Sequence, residues 1–124
     1  MKQKKIRDYF AMWLSADGSG LDEVFTPDAV YTESWGPEYH GAGQIKRWFV
    51  DWVGRGRVLR WDIIGFVEQD ENLAVEWYFE CEYDGVRSGF DGVTIAEFAP
   101  DGRICRLREF QSKAEHEYPY GIEE

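Results

Sequence analysis

The chain has two cysteines, two histidines and no apolar run approaching the roughly 20 residues needed to span a bilayer. Neither Cys81 and Cys105 nor His40 and His116 fall at Cys-x-x-Cys or i, i+4 spacing, so no metal site is expected. A Gly-rich phosphate loop and a nucleophile elbow are also missing, and no cofactor is expected. Positive charge is scarce. With 14 Lys and Arg against 24 Asp and Glu, the net charge is −10 and the pI about 4.6. That balance opposes a nucleic-acid partner, which presents a dense row of phosphates, and opposes an anionic membrane surface. The basic residues at the N-terminus are interrupted by Asp8, and Phe10 to Leu14 is too short for a secretory apolar segment, so a cytoplasmic location is the expectation. Both cysteines fall at positions that read as inward-facing in strands and are expected to be small buried hydrophobes.

What the chain has in excess is aromatic rings. They make up 17% of 124 residues, with six Trp, which is more than the core of one small domain needs for packing. Large rigid rings can line a pocket without collapsing into it, so an apolar ligand cavity is expected. One domain over residues 1–124 is expected, with no repeat or linker and with 112–124 as a tail whose Tyr118, Pro119 and Tyr120 dock.

Ile6, Tyr9, Phe10, Trp13 and Leu14 recur at helical spacing and predict an amphipathic helix over about 2–16. Leu21, Val24 and Phe25 predict one short helical turn, with Ser19 as its N-cap. Residues 29–35 alternate and predict an edge strand that places Tyr31, Glu33 and Trp35 on one face, and 36–41 reads as a loop. Ile45, Trp48, Phe49, Trp52 and Val53 predict a third helix, ending at Gly54 in a left-handed conformation. A strand over 58–69 has no clear alternation. Residues 73–111 read as a three-stranded meander turned at Asp84-Gly85 and Asp101-Gly102, with Trp77, Phe79 and Cys81 on its dry face. In the last strand Cys105, Leu107, Glu109 and Gln111 share one side.

This order, with Phe25-x-x-Asp28-Ala29, Gly41-x-x-x-Ile45-x-x-Trp48-Phe49, Val75-Glu76-Trp77, Phe90-Asp91-Gly92 and Asp101-Gly102-Arg103-Ile104 followed by Glu109-Phe110, resembles the SnoaL-like branch of the nuclear transport factor two-like superfamily. That superfamily includes polyketide cyclases, ketosteroid isomerase, scytalone dehydratase and limonene epoxide hydrolase. The resemblance implies an α+β fold of the cystatin-like type, a cone-shaped curved antiparallel sheet with three N-terminal helices over its concave face. It also implies that Tyr9 matches the helix-one tyrosine of ketosteroid isomerase, a donor to the developing enolate, and that Glu33 matches its general base. The isomerase's second donor maps to Ala96, which donates nothing. The resemblance implies the pocket, and the departure at Ala96 counts against steroid isomerisation.

Three residues are therefore the catalytic candidates: Glu33, Glu109 and Tyr9. Rings around Glu33 would desolvate its carboxylate and raise its pKa toward the range of a general base. Glu109, on the same expected concave side, would allow two carboxyls to divide acid and base duties. The expected substrate-binding residues are Trp13, Tyr31, Trp35, His40, Trp48, Phe49, Trp52, Trp77, Phe79 and Asp91, with Asp91 dependent on a bulge that shifts its strand's phase. The function expected is cofactor-independent acid–base chemistry of the isomerase, cyclase, dehydratase or hydrolase type on a small hydrophobic carbonyl-bearing molecule. A non-catalytic binder of such a ligand is the alternative, and a dimeric interaction module is a third possibility. A homodimer is expected through the convex sheet face, where Tyr78, Val93, Ile95 and Phe110 fall.

Overall fold

A computed structural model describes residues 1–122. Helix α1 (Lys2–Ser15) buries Ile6, Tyr9, Phe10 and Trp13, the i, i+3, i+4, i+7 stripe of an amphipathic helix. Leu14 lies off that stripe and is exposed. The helix stops where Ala16 turns left-handed and its N–H closes back on the Met12 and Trp13 carbonyls. Helix α2 (Leu21–Val24) is one turn long and is capped by Gly20 with no side-chain bond. Ser19 is not the cap; its N–H donates to Asp17 instead. Phe25 belongs to the next strand, β1 (Phe25–Thr32), and the stretch expected as loop contains a short strand, β2 (Glu38–His40). Helix α3 (Ala42–Val53) buries Ile45 and Phe49, and Gly54 after it is right-handed rather than left-handed.

Four long strands complete the chain: β3 (Gly56–Gln69), β4 (Asn72–Tyr83), β5 (Val86–Phe98) and β6 (Ile104–Lys113). They join β1 and β2 in one six-stranded sheet of order β2-β1-β6-β5-β4-β3. The fold is α+β, a curved open sheet with helices packed across one face. Two features differ from the sequence expectation. The edge is β2, not β1, and β1 runs parallel to β6, so the sheet is mixed rather than purely antiparallel.

The register explains where alternation is readable. β4 and β5 pair without interruption from Asn72–Glu97 to Tyr83–Val86, so Leu73, Val75, Trp77, Phe79 and Cys81 all face the helices. β3 shifts register against β4 twice, between Val58 and Arg60 and between Ile63 and Gly65. Each bulge inverts the alternation, which is why Val58, Trp61 and Ile63 follow no single period. A further shift between Glu97 and Phe98 pairs Ile104 with Phe98 and Arg106 with Glu97. Ile104 is therefore buried, while Cys105 turns to the other side and its thiol meets Glu97; only Cys81 is the buried cysteine expected.

The core is ring against ring. Phe10 stacks on Trp61 at 3.7 Å between centroids, and Tyr9 meets Phe25 edge-on at 5.2 Å. Each such ring taken from water contributes roughly 1.5–3 kcal/mol, and truncating Phe10 to Ala would cost about 3–5 kcal/mol with the cavity it leaves. Trp77 lies across Gly92: a Cβ there would sit 2.4 Å from the indole and 2.6 Å from the Phe110 carbonyl oxygen. The same indole donates to Thr94 Oγ1 at 2.9 Å, so its polar edge is satisfied inside the core. The tail does not dock as expected. Tyr118, Tyr120 and Ile122 are exposed, and residues 123–124 lie outside the described residues.

Candidate active site

Between the helices and the sheet a cavity of about 400 Å³ remains. Strands β3, β4 and β5 contribute Trp61, Trp77, Phe79, Cys81, Tyr83 and Phe90. Trp13 of α1 and Trp48, Asp51 and Trp52 of α3 close the opposite side. Tyr31 of β1, Tyr39 of β2, and Glu33, Ser34 and Trp35 of the turn between those strands line one end, with Glu109 and Gln111 of β6 beside them. All six tryptophans of the chain touch this one space.

Sheet pairing brings the polar groups together. β1 lies between β2 and β6, and Tyr31 is level with Tyr39 on one side and Leu107 on the other. Residues two apart on a strand share a face, so Tyr31, Tyr39, Leu107 and Glu109 all point toward the helices. Tyr31 donates to Glu109 Oε2 at 2.5 Å, and behind it Tyr9 donates to the Tyr31 hydroxyl at 2.8 Å. Glu33 sits in a tight turn held by its N–H to the Pro37 carbonyl and by the Gly36 N–H to its own carbonyl. Its carboxylate accepts from Tyr39 at 2.5 Å and from Trp35 Nε1 at 3.4 Å. The indole N–H group of Trp61 is buried with no acceptor among the described residues.

These surroundings separate the two acids. Burial pushes the Glu109 carboxyl from its ordinary 4.5 up to about 8, the Glu33 charge adds to the rise, and the Tyr31 hydrogen bond opposes it. Glu33 is also raised by desolvation, but less, because Tyr39 and Trp35 both donate to its ionised form. Burial raises Tyr9 and Tyr31 well above the ordinary phenol, and it raises Tyr39 with the help of Glu33. The three phenols therefore remain protonated donors. Near neutral pH, Glu109 holds a proton and Glu33 is the more readily ionised, an acid and a base on one cavity.

The SnoaL-like domain family has a model that matches residues 6–107. The chain belongs to the SnoaL-like family. Solved structures agree at the level of fold. A candidate SnoaL-like polyketide cyclase from Shewanella denitrificans superposes with a TM-score of 0.77 at 15% identity, covering 90% of each chain. An LEH-like epoxide hydrolase from M. tuberculosis gives 0.78 at 16% identity over 88% of this chain and 80% of that one. A ketosteroid isomerase-like protein from Catenulispora acidiphila, solved with trimethylamine, gives 0.68 at 14% identity over 86% and 85%. Comparison with curated protein sequences gives no match.

In this SnoaL-like domain Glu33, Glu109, Trp13, Tyr31, Trp35, Trp48, Trp52, Trp77 and Phe79 all line the cavity. Four other candidates do not. Tyr9 is wholly buried behind Tyr31, so its hydroxyl reaches Tyr31 and not a ligand. Phe49 packs inward against Trp13 and under Gly18. His40 is level with Val30 rather than Tyr31, which turns it to the opposite face, where it pairs with Glu38 at 2.8 Å. Asp91 needed a bulge, and the unbroken register with β4 places it beside Tyr78 on the convex side.

Sequence reasoning missed Tyr39, Trp61, Phe90, Tyr83 and Asp51. Tyr39 was the most consequential omission, since it holds Glu33. Its only signal is its two-residue offset from the turn at Pro37, which a hairpin would place opposite Tyr31. Phe90 was available from strand pairing: a continuous β4–β5 hairpin turned at Asp84-Gly85 sets it opposite Phe79.

Proposed function

We propose that this chain is a cofactor-independent acid–base enzyme acting on a small hydrophobic carbonyl compound. Glu33 takes a proton from the carbon beside the carbonyl while Glu109 gives one to the carbonyl oxygen, forming an enol. Returning the proton at another carbon gives isomerisation, and attack of the enol carbon on a second carbonyl gives cyclisation. Tyr31, backed by Tyr9, holds Glu109, and Tyr39 holds Glu33. The observation that supports this reading best is one half-open aromatic cavity holding two carboxyls whose surroundings pull their proton affinities apart. Its size falls within the range of small-molecule sites.

The test is proton exchange. A panel of cyclic and aromatic ketones is incubated with the protein in D2O, and deuterium at the α-carbon is followed by NMR. Catalysed incorporation into at least one ligand is expected, falling about 100-fold or more in Glu33→Gln. Ligands that bind and leave without exchange would make the chain a binder, and a Glu33→Gln protein with full exchange would remove Glu33 from the mechanism. The same proposal includes a homodimer through the convex face, where Val67 and Phe110 are exposed beside Val93 and Ile95. Sedimentation showing a monomer at tens of micromolar would refute that part.

A further inference from the structure

The charge of the cavity wall is one-sided. Its titratable acids are Glu33, Asp51 and Glu109, and no lysine, arginine or histidine lines it. Arg55 lies 5.2 Å from the Tyr83 ring at the rim but is held outside by a bidentate pair with Asp84. A pocket for an anion would need a donor of positive charge, and none is supplied. A pocket for a purely apolar guest would need none of the three acids.

Apart from Ser34, Cys81 and Gln111, the rest of the wall is π-surface set at several inclinations. Trp13 stands 5.0 Å from Trp48 at 58° and 5.4 Å from Trp52 at 88°, Tyr39 stacks on Trp48 at 4.7 Å, and Trp52 leans on Tyr83 at 5.3 Å. Rings carry negative charge on their faces, and several rings around one space attract a diffuse cation more strongly once water is excluded. An ammonium bearing alkyl groups suits such a wall, because its charge is spread over C–H bonds that need no hydrogen-bond acceptor. A compact, strongly hydrated metal ion does not suit it, and among the described residues no group of side chains is arranged to hold one.

We propose that the ligand of this cavity is an organic cation, a tertiary or quaternary ammonium with an apolar body, seated among Trp13, Trp48, Trp52 and Tyr39 with Glu33 and Asp51 as its counter-charges. This inference rests on the reading of the cavity as the substrate site and adds the class of substrate: an amine-bearing carbonyl compound rather than a neutral one. Glu33, the proposed base, then also selects the charge of what enters.

Binding can be read from the fluorescence of the six tryptophans, using benzyltrimethylammonium and its carbon isostere neopentylbenzene, which differ only in N⁺ against C. The cation should bind about tenfold or more tightly than the isostere. In Glu33→Gln that preference should shrink severalfold, while the isostere's affinity stays within about twofold. Equal or tighter binding of the isostere would overturn the proposal and leave the cavity standing as a site for neutral substrates. An equal loss for both ligands in Glu33→Gln would also overturn it, since the glutamate would then be acting on shape and not on charge. If neither ligand binds at millimolar concentration, both this proposal and the reading of the cavity as a ligand site fall together.

Discussion

Replacing Tyr31 with phenylalanine should cost more stability than replacing Tyr9, although the two share a hydrogen bond. Tyr9 donates to Tyr31, Tyr31 donates to Glu109, and the chain runs one way. In Tyr9→Phe the Tyr31 hydroxyl still donates to Glu109 and loses only an incoming bond, a loss of about 0.5–1.5 kcal/mol. In Tyr31→Phe two bonds go, and the Tyr9 hydroxyl, on a residue with 0% exposure, has lost its acceptor. Two lost bonds cost about 1–3 kcal/mol and an orphaned buried donor adds about 1–3 kcal/mol, so Tyr31→Phe should cost about 2–6 kcal/mol. The double variant removes the orphan. It should lose only the two bonds, about 1–3 kcal/mol, which gives a coupling of about 1.5–4.5 kcal/mol. Urea unfolding at pH 6, followed by circular dichroism on all four proteins, measures the cycle, and a single domain of this size is suited to a two-state treatment. Additive losses within a few tenths of a kcal/mol, or equal losses for the two single variants, would refute the directional chain.

Other predictions follow from the same geometry. Because Glu109 in the folded chain is raised from 4.5 to about 8, the folded state holds its proton more tightly than the unfolded state. The stability this gives is full below about pH 4.5 and is lost as pH rises to about 8; at 1.36 kcal/mol per pKa unit its ceiling is roughly 5 kcal/mol. Wild type should therefore lose stability relative to Glu109→Gln as pH rises from about 4.5 to about 8, and parallel pH profiles would contradict the shift. Gly92→Ala forces a methyl against Trp77 and should cost about 1–3 kcal/mol, whereas Gly65→Ala, with nothing within 4 Å, should not meet such a clash; thermal unfolding compares them. Tyr39→Phe removes a donor that favours the ionised form of Glu33, so the acidic limb of the exchange reaction's pH profile should move upward. An unmoved limb would mean that Glu33 is not the base.

Most of the architecture was readable because its signals were local. The stripe Ile6, Tyr9, Phe10 and Trp13 and the alternation of Trp77, Phe79 and Cys81 each follow one element's own period, and those faces are the ones observed. Glu33 could be placed because alternation and family resemblance point to the same side, and Glu109 because alternation alone sets it beside Leu107 and Gln111. What stayed hidden depended on partners distant in sequence. Nothing in 29–35 says that its neighbour is β6 in parallel, or that three residues after Pro37 will pair as an edge strand. The bulge that buries Ile104 and turns out Cys105 exists only relative to Glu97 and Phe98, and the two in β3 only relative to β4. Trp61 and Tyr39 were lost for that reason. Tyr9 was misplaced for another: helical spacing gives its face but not the depth at which Tyr31 covers it.

The central claim is that Glu109 keeps its proton near neutral pH inside the aromatic cavity. The protein can be labelled with 13C at the glutamate carboxyl and titrated by NMR from pH 4 to 10, with Glu109→Gln identifying the resonance. One carboxyl should titrate with a midpoint of about 8 and vanish in the variant. A Glu109 signal that titrates near 4.5, with the other glutamates, would contradict the account.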